Sequence, residues 1–350
     1  MMINLEYIVG LFNSIVPVVI IVVGTLFNVL TMLVVLISSV RLANRSLSVY
    51  VIFLAIVDTL SLYIWNLDHF TNPFFGITIE SSFNIYVCKL ATFAQFYSLQ
   101  LSAFLVCLLS VETLVDYSRA KFDDASAVYR LLQPHFNRFG TRLRAFAACA
   151  ILALLLLLVN AHILIFNGIE TKNGSFKCYS ASSYNINDTM NLIHLIVYSI
   201  IPLFVLVVAN LLLFHLIRKH KVSLNYNLQS MQLESDLKES KLNKDDVKSD
   251  EESRVPMPRT SITFSLLFIV LTAPAALMYG LLGKQLFQDT VTKLVFYFLD
   301  NLMFLNHATL FLKLYLSNKH FKLAANTFFR RSKEIINEKL DRDKDQTISI

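Results

Sequence analysis

Two aspartates, Asp58 in FLAIVDTLSL and Asp300 in FYFLDNLMF, sit well inside long apolar runs. A charge at the centre of a membrane helix costs about 2.5–3.5 kcal/mol on insertion scales, so each one implies a partner and a function. Ser61 lies close to one turn beyond Asp58, and Asn28, Ser102, Asn306 and His307 fall at depths in other runs from which they can converge on it. A carboxylate ringed by hydroxyl and amide groups can hold a sodium ion or share a proton. The same set also serves as a polar knot that does no more than fix helix packing. Paired intramembrane aspartates suit proteolysis only when they share one depth and one proton. Asp300 lies nearer the outer end of its run than Asp58 does, and neither has a flanking Gly to admit a substrate backbone. The sequence contains no phosphate-cradling Gly-rich loop and no paired-His metal motif, so an enzyme is not expected.

The elements that must position these residues are set by composition. Of 350 residues, 55% are hydrophobic and only 16% charged, which excludes a mostly aqueous environment. Apolar stretches of the length needed to cross a ~30 Å hydrocarbon core occur at 11–37, 47–66, 87–111, 145–166, 190–217, 261–282 and 291–316. Residues 151–159, ILALLLLLV, lack the wet face of a soluble amphipathic helix. The expectation is an all-α membrane protein, a seven-helix bundle spanning 11–316. With residues 1–10 outside, 25 of the 31 Lys and Arg fall on the cytoplasmic side, the asymmetry that orients membrane helices. The net charge of +6 is thus an orientation signal and implies no nucleic acid. Residues 1–10 hold no basic n-region, and the first run is too long for a cleaved signal, so that run doubles as the insertion signal.

On the outer side stand Cys88 and Cys178, which can pair in an oxidising compartment, and two glycosylation acceptors, Asn173 and Asn187. Cys107 and Cys149 fall inside spans as small buried hydrophobes. The cytoplasmic loop 218–259 is rich in Lys, Asp, Glu, Ser and Asn, and it is too polar to bury a core of its own. Beyond the last span, residues 317–350 begin with a basic amphipathic helix carrying Phe321, Ala325 and Phe328 at i, i+4 and i+7. That helix is suited to membrane lipid at the inner leaflet and is followed past Glu338 by a disordered end. Lys313, near the inner end of the seventh run, is expected to snorkel to the headgroups.

Seven runs, the Cys88 and Cys178 positions, Asn28, LAIVD ending at Asp58, Pro202 in the fifth run and Phe268 six residues before Pro274 together resemble rhodopsin-like (class A) G protein-coupled receptors. The resemblance covers about residues 7–330, and the invertebrate peptide-receptor branch is the most similar. It implies a plasma-membrane receptor with an extracellular N-terminus, a Cys88 to Cys178 disulfide, an extracellular ligand and a heterotrimeric G protein partner. It also places Ser102 and Asn306 at a sodium site around Asp58. Gln95 stands where amine receptors carry an aspartate, which disfavours a monoamine, and the likeness to the peptide-receptor branch implies a peptide ligand. The implied ligand pocket holds Gln95, Ser98, Tyr279, Tyr297, Asp300 and Asn301, with Gln100 at its edge. There Asp300 meets a basic group of the ligand, or else pairs with Lys284 or Lys293.

Four switch positions depart from the family pattern. Its acid-Arg-Tyr signature reads Glu112-Thr113-Leu114, its sixth-helix Trp is Thr272, the Tyr common in the fifth helix is Asn210, and its Asn-Pro-x-x-Tyr positions read Leu310, Phe311 and Leu314 with Tyr315 one place late. Glu112 is left without its arginine, to be hydrated or paired with Arg119 or Arg144. Family-type activation therefore does not carry over whole. A chemosensory receptor, a receptor-shaped protein that binds a partner without G protein signalling, and a transporter or channel are the alternatives.

Overall fold

A backbone surrounded by lipid must satisfy its own N–H and C=O groups, so long apolar runs fold as helices. The computed structural model describes residues 5–37, 45–77, 84–121, 141–172, 175–180, 192–235, 258–282 and 289–348, and these are almost entirely helical. In chain order they form α1 (Leu5–Ile37), α2 (Arg45–Phe75), α3 (Ile85–Lys121) and α4 (Thr141–Phe166), then an antiparallel hairpin of β1 (Asn167–Lys172) and β2 (Ser175–Ser180). Its register runs from Asn167 opposite Ser180 to Lys172 opposite Ser175. A π-helical turn at Ile196–Ile200 leads into α5 (Ile201–Ser235), followed by α6 (Pro258–Leu282), α7 (Thr290–Ala308), α8 (Leu310–Ser317) and α9 (Lys319–Ile348). The sequons at Asn173 and Asn187, and residues 236–257 of the long loop, lie outside the described residues.

Six helices are long and apolar enough to cross a membrane, and a seventh exists only if the bent pair α7 and α8 is one span. The chain thus has the make-up of a multi-pass membrane protein. Its polarity is inverted relative to a soluble bundle. Val22, Leu26, Leu158, Phe204 and Leu211 face outward, while Asn28, Ser61, Gln100, Asn160 and His307 are buried. Apolar side chains outside and satisfied polar groups inside are what lipid surroundings require. At the centre is α3, which is 67% buried over its most apolar window against 22% for α4 and α5, so its side chains reach every polar layer described below.

Two departures from straight helix have local causes. Pro202 has no N–H to return to Tyr198, and the chain absorbs this one turn earlier as a π turn in which the Ile201 N–H reaches Ile196 O. The expected continuous run 291–316 is broken at Thr309, where α7 and α8 meet at 61°. No proline lies there. Thr309 Oγ1 donates back to Leu305 O at 2.8 Å, and the Lys313 ammonium inserts into the ladder at Asn306 O, two recognised ways to bend a helix. The start of α7 is capped by Asp289, whose carboxylate accepts from the Thr292 hydroxyl and N–H and is thereby held below the usual carboxylate range.

Close approach of α1, α2 and α7 depends on Gly24. A Cβ there would lie 2.5 Å from Leu62 Cδ1, 2.7 Å from Ala308 Cβ and 2.9 Å from the Ala308 Cα, which is backbone and cannot swing away. Gly24→Ala gains about 1 kcal/mol in helix propensity but loses ~1–3 kcal/mol to overpacking. A lower unfolding midpoint is expected; a raised midpoint would refute the tight packing.

The terminal helix differs from expectation. Its Phe321 and Ala325 are fully buried, with Phe321 edge-on to Phe311 of α8 at 5.4 Å, so this face packs on the bundle and is not offered to lipid. The helix continues to Ile348 where a disordered end past Glu338 was expected.

Candidate functional site

Buried polar contacts stack in layers between the hairpin end of the bundle and the α9 end. In the middle layer, Ser102 of α3 donates to Asp58 Oδ1 of α2 at 2.6 Å, and His307 Nδ1 of α7 lies 2.7 Å from the same oxygen. Asn28 Nδ2 of α1 donates to the His307 carbonyl at 3.3 Å. The expected convergence on Asp58 thus holds for Ser102, His307 and, through the backbone, Asn28. For Asn306 it does not hold. Both its carbonyl and its Oδ1 accept from the Lys313 ammonium, at 2.5 and 2.7 Å. Lys313 is correspondingly buried and does not snorkel, because its helix is turned inward by the break at Thr309.

Toward the hairpin end, Asp300 Oδ2 of α7 pairs with His69 Nε2 of α2 at 3.6 Å, and His69 Nδ1 lies 2.9 Å from Asn13 Nδ2 of α1. His69 is thus a partner of Asp300 that the sequence reading, which offered Lys284 or Lys293, did not name. Lys284 itself lies outside the described residues. Tyr297 sits edge-on to the His69 ring at 5.7 Å and beside Phe296, which tilts against Tyr279. On α3, Gln95 and Ser98 are buried on the inner face, with Ser98 Oγ donating to Gln95 O. Gln95 Oε1 and the Tyr198 hydroxyl have no hydrogen-bond partner among the described residues. Asn301 bonds back to Tyr297 O. Five of the six expected pocket residues, all but Tyr279, are supplied by α3 and α7, while His69 and Tyr198 escaped sequence reading. An i, i+11 relation between Asp58 and His69 on one helix was the only available sign of His69.

A third cluster lies to one side. Gln100 Oε1 accepts from Asn160 Nδ2 of α4 at 2.5 Å, and Gln100 Nε2 meets His194 Nδ1 at 3.1 Å, while His194 stacks on Phe96 at 3.8 Å. Gln100 was placed at the edge of the pocket; it instead joins α3 to α4 and to the start of the α5 span. Cys88 is buried and disulfide-bonded, and Cys107 and Cys149 are free thiols.

At the α9 end, Glu112 is not orphaned. Arg144 Nη2 of α4 lies 3.6 Å from its Oε1, and the Tyr50 hydroxyl of α2 also reaches it. Thr113 is buried with its hydroxyl turned back onto Leu109 O at 2.7 Å, and Leu114 is half-buried. The contact between α3 and α6 here consists of hydroxyls: Ser110 Oγ is 2.9 Å from Ser265 Oγ, and Ser261 Oγ donates to Ser110 Oγ at 3.3 Å. One turn higher on α6, Phe268 is edge-on to Tyr198 at 6.4 Å, and Thr272, one turn beyond it and two residues before Pro274, donates to Phe268 O at 2.6 Å. Cys107 Sγ points to Pro202 O. Tyr315 is half-buried, stacked on Phe311 at 5.9 Å, and its hydroxyl bonds Asn326 of α9 at 3.1 Å. No protein-family model matches this chain, and no curated protein matches it.

Proposed function

We propose that this protein is a plasma-membrane receptor of the class A type, N-terminus outside, that senses an extracellular peptide and has altered activation switches. The observation that carries the reading is the ordered stack of buried polar contacts between helices. Asp300–His69 joins α7 to α2 toward one end, Asp58–Ser102–His307 joins α2, α3 and α7 at mid-depth, and Ser110–Ser265 joins α3 to α6 at the other end. A ligand that displaces the first contact can bias the last through two-state rearrangement of packed helices. Structural helices in a membrane need few ionisable side chains; among the described residues this bundle buries two aspartates, two histidines and a lysine. In this reading Cys88 is joined to Cys178 and the hairpin of β1 and β2 is held against the start of α3. Asn173 and Asn187 carry glycans on the same side.

The ligand pocket lies among Gln95, Ser98, Tyr279, Tyr297, Asp300 and Asn301, with His69 and Tyr198 added by the geometry. Aromatic faces with a few convergent polar groups suit a peptide side chain. The heterotrimeric G protein is the intracellular partner, engaged weakly because Thr113 presents no charge. The test is a binding screen of surface-expressed protein against a peptide library, repeated with Asp300→Ala and Gln95→Leu. A peptide that binds wild type and loses at least roughly tenfold in affinity for both variants supports the pocket. A peptide unaffected by either variant removes it, and solute flux through reconstituted vesicles would favour a transporter.

A further inference from the structure

Beside the Asp58–Ser102 contact of the middle layer, α7 presents the side-chain and backbone oxygens of Asn306, the residue before His307, and oxygens of these kinds are what a hard cation takes. Asn28 Oδ1, on a fully buried side chain in the same layer, has no hydrogen-bond partner among the described residues. A positive charge already stands among them. The Lys313 ammonium donates two hydrogen bonds to Asn306, lies 5.6 Å from the centre of the Phe264 ring, and is within reach of the Asp58 charge. It also stands at a helix C-terminus: α7 ends at Ala308 with Thr309 as its cap, and a cation is favoured in the last turn by the helix dipole.

We propose that Lys313 is the resident cation beside the Asp58 cluster, held by the Asn306 oxygens in place of a sodium ion and clasping α8 to α7 across the bend. The protein is then indifferent to sodium, and loss of the ammonium uncovers a monovalent-cation site. The arrangement does not depend on what the protein senses, so its test needs no ligand and its outcome is separate from that of the peptide screen.

The experiment follows thermal unfolding of the purified full chain with a thiol-reactive dye that reports Cys107 and Cys149, in sodium chloride or choline chloride at equal ionic strength. Wild type should unfold at the same temperature in both salts. Lys313→Met should unfold lower than wild type in choline and be raised by roughly 5 °C in sodium. Combining it with Asp58→Asn should remove that rise. Lys313→Arg, which keeps the charge, should remain insensitive. If Lys313→Met cannot be purified, wild type and Lys313→Arg decide the matter: a sodium-specific rise in either overturns the proposal, as does a Lys313→Met midpoint that is the same in both salts.

Discussion

Asp58→Asn should lower stability by about 3–5 kcal/mol, the cost of removing one partner from a buried charge pair. Asparagine can still accept from Ser102, so the loss is not chiefly a hydrogen bond, whose net worth is nearer ~1 kcal/mol. The larger part is the Lys313 ammonium, which stays buried among α6, α7 and α8 with no compensating negative charge. The sign of the double substitution separates these causes. Asp58→Asn with Lys313→Met removes both charges and should recover a substantial part of the loss, because a buried ion pair replaced whole is often close to neutral. Thermal or denaturant unfolding of the four proteins in choline chloride gives the coupling directly. A loss below ~1 kcal/mol for Asp58→Asn, with no recovery in the double variant, would mean that the two charges do not sense each other.

Ligand-driven nucleotide exchange should be weak in the wild-type protein and rise roughly tenfold in Thr113→Arg. At this position the family pattern has an arginine that pairs with the preceding acid at rest and contacts the G protein when active. Here the acid, Glu112, is already engaged by Arg144 and Tyr50, and Thr113 is bonded to its own helix, so position 113 offers no charged donor to the proposed partner. Charge-assisted hydrogen bonds are worth ~1.5–3 kcal/mol against about 1 for neutral ones. The difference corresponds to roughly a factor of ten. At rest, the hydroxyl contacts Ser110–Ser265 and Ser261–Ser110 hold α3 to α6. They are individually modest, so in the proposed receptor basal exchange should be kept low by the missing arginine more than by the strength of the contact. Exchange is measured at matched surface levels with a binding peptide. Wild type as efficient as an ordinary receptor, with nothing added by Thr113→Arg, would make Glu112-Thr113-Leu114 a working switch in its own right.

Much of this protein was legible in its residue order. Apolar runs of membrane-crossing length identify the helices because lipid leaves the backbone no other bonding partner. The boundaries of α1, α4 and α6 lie close to those runs, while α2, α3 and α5 continue well past the ends of theirs. That Asp58, Ser102 and His307 meet was also readable, since each interrupts an apolar run at a similar depth and a buried carboxylate requires donors. The third cluster followed the same rule but was missed: Gln100, Asn160 and His194 each look like an isolated polar residue until three helices are set side by side.

Pairing choices, in contrast, were decided in space. Sequence offered Glu112 two arginines and Asp300 two lysines; helix rotation gave Glu112 to Arg144, and Asp300 to a histidine on another helix. The same holds for Lys313. Its place near the end of an apolar run points to the headgroups, and only the 61° break at Thr309 turns it inward to Asn306. That break carries no proline or glycine to announce it, because its cause is a pair of side chains competing for backbone carbonyls. What the sequence determined by itself was which segments enter the membrane and which polar residues must be satisfied there, both being matters of transfer free energy along the chain. Which partner satisfies each polar group was decided by tertiary structure, because a hydrogen bond or ion pair depends on distances of a few ångströms between helices that residue order does not encode locally.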